Sequence, residues 1–228
     1  MKRYRSFTLF LFLCLMPGYY AAAQIFKGEI IGGFNKSQVD GDEAYGFKKY
    51  GLTGAVGVTV PIYKNWSLSL ETGYSQKGSR QKPQFADSLD GSYRLNLNYV
   101  EVPFMIQYTD RDLVSAGLGV SWNRLVGVNE WRNGFHIDSV TMQSKVFSPN
   151  DFQGFVDLRI RVYRNIIFNA RYSYSLKKIA TRTVIDSETG KPNERNFYNN
   201  LWTFRIIYMI NEKRSDKLSK PKNINQVE

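Results

Sequence analysis

The 228-residue sequence is poor in reactive side chains, since it has one cysteine, Cys14, and one histidine, His136. A single thiol excludes an internal disulfide framework, and a single imidazole excludes zinc and catalytic sites that need two. Sustained helical periodicity is also missing, and the mean hydropathy of −0.38 excludes a bundle of membrane-spanning helices. Aromatic residues, in contrast, reach 15%, and there are 18 glycines. This composition favours one β-rich domain.

Residues 1–23 have the organisation of a secretory signal peptide. Basic residues at the start precede an apolar run from Phe7 to Met16, and three alanines then precede Gln24. The run is too short to anchor the chain as a transmembrane helix. Export makes nucleic acid an unsuitable partner for the excess of 31 basic over 20 acidic residues. Anionic lipid headgroups or lipopolysaccharide phosphates fit that excess better, and the alternative is a basic surface that is only solvated.

Eight later segments alternate apolar and polar residues with the two-residue period of β-strands. They are 25–39, 51–62, 66–77, 95–108, 113–125, 152–163, 166–176 and the residues from Trp202 to Ile210. In the fourth segment the phase of the alternation slips near Asn98, which we interpret as a β-bulge. Eight strands of about ten to thirteen residues suit a tilted β-barrel that crosses a bilayer.

The connections between these segments alternate in length. Tight turns are predicted around Lys64-Asn65, Asp110-Arg111 and Arg164-Asn165, whereas the other four connections, near 40–50, 78–94, 127–150 and 178–198, are long and polar. Short turns on one side and long loops on the other are typical of transmembrane barrels. The sequence therefore predicts an all-β fold, an eight-stranded antiparallel up-and-down transmembrane β-barrel. A soluble β-sandwich or lipocalin-like barrel is the alternative, with its apolar rows turned inward.

The polar rows favour the membrane barrel because they are ionic while the opposite rows are strongly aromatic. The charge network predicted for the lumen consists of Glu29, Glu71, Glu101, Asp157, Arg159, Arg161, Arg171 and Arg205. The aromatic girdle predicted for the two membrane interfaces consists of Trp66, Tyr74, Trp122, Phe152, Tyr163, Tyr174, Trp202 and Tyr208. Because charges in a narrow lumen must be paired, we expect Glu71 and Glu101 to meet arginines from the last three strands.

Two motifs resemble a known family. The residues from Leu70 to Gly78, LETGYSQKG, and those from Tyr99 to Phe104, YVEVPF, are similar to the recurring signature of the Bacteroidota outer-membrane β-barrel family, called PorT-like or porin-family. The early residues from Ser37 to Asp42 also resemble that group. The resemblance covers about residues 24–212 and implies an eight-stranded barrel in the outer membrane. Some relatives are associated with type IX secretion, and similar small barrels are subunits of assembly complexes.

The chemistry of the loops gives weaker signals. His136, Asp138 and Ser139 lie close together in the third long loop, but no nucleophile motif surrounds the serine. We predict no catalytic, metal or cofactor site, and hence a protein that is not an enzyme. Four basic residues in and beside the second long loop are predicted to contact lipopolysaccharide: Lys77, Arg80, Lys82 and Arg94.

These observations give one leading function and one alternative. We expect a signal peptide at 1–23, a barrel at 24–212 and a basic periplasmic tail at 213–228. The barrel would lie in the outer membrane with periplasmic termini and extracellular long loops. It would serve as an accessory or structural subunit of an assembly or secretion machine, in contact with lipid, lipopolysaccharide and other outer-membrane or periplasmic proteins. The alternative is a free-standing narrow porin or ligand-binding barrel.

Overall fold

A computed structural model describes residues 26–42, 44, 46–83, 89–185 and 192–210. The predicted signal peptide and the predicted basic tail lie outside the described residues. The described chain forms ten β-strands: β1 Lys27–Asp40, β2 Lys49–Tyr63, β3 Trp66–Gln81, β4 Tyr93–Asp110, β5 Val114–Arg132, β6 Phe135–His136, β7 Asn150–Tyr163, β8 Ile166–Ser175, β9 Ala180–Ile185 and β10 Pro192–Ile210. Among these residues, no helix is long and apolar enough to cross a membrane.

Eight long strands form a closed antiparallel ring, in the order β1-β2-β3-β4-β5-β7-β8-β10, and β10 pairs with β1 to close it. The short strands β6 and β9 extend hairpins of β5 and β10 beyond the ring. One row of paired residues can be followed around the barrel: Gly28, Val58, Leu70, Phe104, Val120, Gly154, Tyr174, Asn200 and Gln38. The row returns to β1 ten residues above its start. This stagger tilts the strands against the barrel axis, as closure requires. The predicted fold class is confirmed.

The two ends of the barrel differ. Three tight turns join β2 to β3, β4 to β5 and β7 to β8, and β1 begins and β10 ends on this side, which we call the turn end. The turn residues Lys64 and Arg164 have positive φ angles of 48° and 31°, the left-handed conformation of short hairpin turns. The long connections lie on the other side, the loop end. Several strands continue into regions that the sequence assigned to loops, and β5 reaches Arg132.

The β-bulge predicted near Asn98 is present, since the β4–β5 pairing register shifts between Asn98 and Tyr99, but it does not cause the phase slip in the β4 sequence. Along β4, Leu95, Leu97 and Tyr99 are fully buried and point inward, and the same alternation continues to Met105 without a break. The register shift at this level places the additional residue on β5, between Leu125 and Gly127. What changes along β4 is the chemistry of the interior. The interior is apolar at the loop end and polar in the middle of the barrel. The apolar residues of β4 therefore face inward near the loop end and outward in the middle, although the strand itself is regular.

Candidate functional site

The middle of the lumen contains six charged side chains that contact one another. Arg159 is the residue that joins them: its guanidinium donates to Glu29 Oε1 at 2.9 Å, to Glu71 Oε1 at 2.8 Å and to Asp157 Oδ1 at 3.1 Å. These residues come from three different strands, since β1, β3 and β7 each place one polar row inward. The contacts therefore connect opposite walls of the barrel.

Two further arginines complete this group. Arg171 donates to Glu71 Oε1 at 2.8 Å and to Asp157 Oδ2 at 2.6 Å, and Arg205 donates to Glu71 Oε2 at 2.7 Å. The arginine–carboxylate cluster thus consists of Glu29, Glu71, Asp157, Arg159, Arg171 and Arg205. Three carboxylates balance three guanidiniums, and every member is at most 5% exposed. Pairing of this kind offsets the large cost of removing each charge from water.

The sequence prediction was wrong for the partner of Glu101. Glu101 pairs with Lys77, and no described contact joins it to an arginine of the cluster. Lys77 also donates to Gln153 Oε1 at 3.0 Å, and its ammonium lies 5.1 Å from the centre of the Tyr99 ring. Lys77 is 1% exposed, so its assignment to a lipopolysaccharide contact is corrected: it points into the lumen, one step above the cluster.

Toward the loop end the lumen is filled by an apolar plug. Its buried members are Val39, Leu95, Leu97, Tyr99, Leu125, Val128, Val140, Phe147, Ile179, Ala180 and Phe197. Some come from the strands, but Val140 and Phe147 come from the connection after β6, and Ile179 comes from the connection after β8. The connection after β6 is fixed by backbone hydrogen bonds, including Ser148 N to Ile179 O at 2.6 Å. Burial of these side chains stabilises the closed loop end.

The described barrel has an open chamber at each of its two ends. A chamber of about 760 Å³ opens at the turn end, below Arg159, and a pocket of about 480 Å³ lies at the loop end beside Tyr93. Between them, the void next to Glu101 and Arg205 is about 10 Å³, room for about one water molecule. Arg161 lines the turn-end chamber and donates to the Asp112 and Arg164 carbonyl oxygens. The arginine–carboxylate cluster and the apolar plug lie between the two chambers.

Asp42 forms part of the wall of the loop-end pocket, beyond the end of β1. Its carboxylate accepts hydrogen bonds from the Ser79 hydroxyl and from the Ala44 backbone N–H. Burial outweighs these two interactions and raises the pKa of Asp42 to about 7, with the nearby charges of Asp40 and Glu130 adding to the increase. Asp42 therefore gains or loses its charge near neutral pH.

The outer face of the ring is apolar and carries the predicted aromatic residues. Trp66, Tyr163 and Tyr208 lie at the turn end, where Trp66 pairs with Tyr108 and Tyr208 pairs with Ile166. The other five predicted residues face outward nearer the loop end: Tyr74, Trp122, Phe152, Tyr174 and Trp202. Exposed aliphatic residues such as Leu118 and Ile206 lie between the two levels. Exposure of such a large apolar surface to water is unfavourable, whereas contact with a bilayer that has polar interfaces is favourable.

The remaining predicted lipopolysaccharide contacts lie on the outer face at the loop end. Arg80 and Arg94 are exposed and directly opposite each other on β3 and β4. Two like charges at this distance repel each other. Lys82, just beyond β3, is also exposed, and the Arg94 guanidinium lies 5.1 Å from the centre of the Trp131 ring. Arg80, Lys82 and Arg94 form a basic patch that an anion would stabilise.

The third long loop brings His136 and Asp138 together, with His136 Nδ1 2.6 Å from Asp138 Oδ1. The Asp138 side chain is 94% exposed, so solvent screens the pair. Among the described residues, no group of three histidine, cysteine, aspartate or glutamate side chains is placed to hold a metal ion.

A family model described as an outer membrane protein beta-barrel domain matches residues 23–181. The chain belongs to this family. Membership agrees with the apolar, aromatic outer face and the ionic interior described above, and the protein is an outer-membrane β-barrel. The prediction that lipid contacts the apolar rows is consistent with this assignment, and the soluble-barrel alternative is rejected.

Several solved structures are similar to this chain. Ail of Yersinia pestis is 15% identical, with a TM-score of 0.47, over 82% of this chain and 99% of Ail. Neisserial surface protein A is 13% identical, with a TM-score of 0.45, over 80% of this chain and 96% of its own. Outer membrane protein W of Escherichia coli is 13% identical, with a TM-score of 0.36, over 82% and 98%. No curated protein sequence matches significantly.

The structure gives a physical meaning to the two motifs that carried the sequence resemblance. Both lie on neighbouring strands, β3 and β4, and their alternate residues line the lumen: Glu71, Gly73, Ser75 and Lys77 on one strand, and Tyr99, Glu101 and Pro103 on the other. The neutral polar residues that connect the charges were not among the residues predicted for the lumen network. Asn169, for example, donates to Asp157 Oδ1 at 2.8 Å and accepts from Arg205 at 2.7 Å. The two-residue alternation of β8, which places Asn169 in the inward row with Arg171, could have identified it.

Proposed function

We propose that this outer-membrane barrel is a non-conducting, non-enzymatic accessory subunit of an assembly or secretion machine. The observation that supports this proposal is the filled lumen, because a small-solute channel needs space that the arginine–carboxylate cluster and the apolar plug occupy. A barrel with a blocked interior works through its surfaces. Here those surfaces are the outer face, the loop end and the turn end.

We further propose the PorT-like branch of the Bacteroidota barrels, which the motifs of β3 and β4 support. On this proposal the machine is of the type IX secretion kind, residues 1–23 are a signal peptide, and the barrel proper extends over 24–212. The long loops would be extracellular and the termini, with the basic tail 213–228, periplasmic, the usual orientation of outer-membrane barrels. Arg80, Lys82 and Arg94 would contact lipopolysaccharide phosphates, which would relieve the repulsion between the two arginines.

Affinity purification of the full-length protein from its native outer membrane tests the accessory role. We expect outer-membrane or periplasmic proteins to be recovered with it in fixed stoichiometry after extraction in mild detergent. A second barrel of similar size and abundance, tagged and extracted in the same way, is the control for non-specific recovery. Recovery of the barrel alone, as a monomer, would contradict the proposal.

The alternative, a narrow porin or ligand-binding barrel, predicts conductance or ligand uptake through the lumen. We expect planar bilayers containing the purified barrel to show no discrete conductance steps, because the void in the middle of the lumen is about 10 Å³. A known porin inserted under the same conditions is the positive control. Reproducible steps that change size in an Arg171→Gln variant would support the porin and reject the non-conducting proposal.

A further inference from the structure

A broad, shallow groove lies on the apolar outer face between β4 and β8. It has a volume of about 570 Å³, and its walls contain almost no polar atoms. Phe104 forms one side, Val120 and Val156 form the middle, Tyr172 and Tyr174 form the other side, and Leu176 lies at the upper end. The neighbouring lipid-facing rows carry large side chains at most positions. The groove is therefore a local feature of this face.

Gly154 contributes to the groove because it has no side chain. Between Phe152 and Val156, Gly154 occupies the outward-facing position of β7. It pairs with Val120 and Tyr174 on the flanking strands. A Cβ atom built on Gly154 would lie 3.3 Å from Leu176 Cδ2, with no backbone atom among its nearest neighbours. A larger side chain would therefore occupy the groove without straining the sheet, because Leu176 is 62% exposed and able to move.

Basic groups lie directly above the groove, on its loop-end side. Arg124 is exposed on β5 and donates to Asn150 Oδ1 at 3.2 Å, next to the pair of Trp122 and Phe152. The Lys177 ammonium lies 5.5 Å from the centre of the Phe152 ring, which places it on the same outer face. Arg124 lies on β5 and Lys177 just beyond β8, and the backbones of these strands are two strand spacings apart, roughly 10 Å. A phosphorylated headgroup spans such a distance.

We propose that this groove is a specific site for one lipopolysaccharide molecule, with an acyl chain of its lipid A in the groove and a lipid A phosphate between Arg124 and Lys177. The ordered sequence of apolar groove, aromatic level and paired cations matches the layers of a phosphorylated lipid at a membrane interface. The assignment to the outer leaflet rests on the proposed extracellular orientation of the long loops. The site is separate from the basic patch of Arg80, Lys82 and Arg94, which lies higher on β3 and β4.

Native mass spectrometry of the full-length barrel in detergent, titrated with purified lipid A, tests this site. We expect one tightly bound lipid A on the wild-type protein. Gly154→Leu, which fills the groove, and the pair Arg124→Gln and Lys177→Gln, which removes the phosphate contacts, should each weaken that binding by about tenfold or more. Lipid A without phosphates should bind like the charge variant.

Matched variants separate this effect from general changes in the barrel. Gly32→Leu places the same side chain on β1 at an exposed position with no atom within 4 Å of its Cβ. Lys36→Gln with Lys64→Gln removes two cations that also lie over aromatic rings, those of Tyr50 and Tyr63. Both controls should keep the wild-type affinity. Circular dichroism verifies that each variant folds, and the charge pair tests the site even if Gly154→Leu does not fold.

Several outcomes would overturn the assignment. Unchanged affinity in both the groove and the charge variants would reject the site, and so would equal binding of phosphatidylglycerol, which would indicate a general affinity for anionic lipids. If Gly154→Leu binds lipid A like the wild type but no longer recovers a protein partner in the affinity purification, the groove is a protein interface. Because this readout uses the isolated barrel, its failure is distinguishable from failure to recover partner proteins.

Discussion

Replacing Glu71 by glutamine should lower the free energy of unfolding of the barrel by about 3–5 kcal/mol. Glu71 accepts hydrogen bonds from all three arginines of the cluster and is 2% exposed. The amide keeps the size of the side chain but leaves three buried guanidiniums with two carboxylates. Uncompensated buried charge is among the few single changes with an effect of this size. Reversible urea unfolding of the barrel in lipid vesicles, followed by tryptophan fluorescence, measures the loss.

A charge-neutral double variant distinguishes the loss of pairing from a general disturbance of the lumen. If the unpaired charge is the cause, Glu71→Gln combined with Arg205→Gln should lose less stability than the sum of the two single variants. Glu194→Gln is the matched control, because Glu194 is exposed on the outer part of β10, and its effect should stay within about 0.5 kcal/mol. Additive losses in the double variant would show that the cluster does not act through its charge balance.

Period-two alternation was sufficient to predict the ring and the facing of most of its residues. A strand puts alternate side chains on opposite faces whatever its neighbours are, so Glu71, Asp157 and Arg171 could be assigned to the same side from sequence alone. Closure of the barrel with a ten-residue stagger decides which of these residues lie at the same height. The alternation does not determine that stagger. Charged residues could therefore be assigned to the lumen from sequence, but their individual partners across it could not.

Lys77 and Glu101 illustrate this limit. Both face inward, but Lys77 lies six residues above Glu71 on β3, and Glu101 is paired with Gly73 on the neighbouring strand. They meet above the cluster, at the level of Gln153 and Tyr99. Lys77 was assigned to the loop because the alternating pattern of the third segment ended there. β3 in fact continues to Gln81.

The apolar plug was missed for a related reason. Below the loop end, lipid is outside and charge is inside, so the apolar row of each strand faces outward. Above that level the outside is polar, as at Arg94 and Asn96, and the inside is apolar, as at Leu95 and Leu97. The two-residue alternation of β4 continues through this level, but the apolar residues face outward below it and inward above it. If apolar residues are assumed to face the same side along the whole strand, the change in surroundings resembles a slip in the alternation, which we interpreted as a bulge.

Phe197→Ala should remove a large part of the stability of the loop end, with an expected loss of about 3–5 kcal/mol. Phe197 is 2% exposed within the plug, and its backbone carbonyl accepts a hydrogen bond from Ile179 N at 2.8 Å. A cavity at this position would loosen the contact between β10 and the connection that contains Ile179. Urea unfolding measures the loss, and hydrogen exchange locates it.

The same substitution at an exposed phenylalanine is the control for Phe197→Ala. Phe135 lies on the short strand β6 and is 76% exposed, so Phe135→Ala should change the free energy of unfolding by less than about 0.5 kcal/mol. Exchange should increase for backbone amides of the plug, including Ser148 and Ile179, while amides around Glu71 stay protected, because the arginine–carboxylate cluster closes the lumen independently. Equal deprotection at both levels would mean that plug and cluster form one cooperative unit, and that the interior is not divided as described.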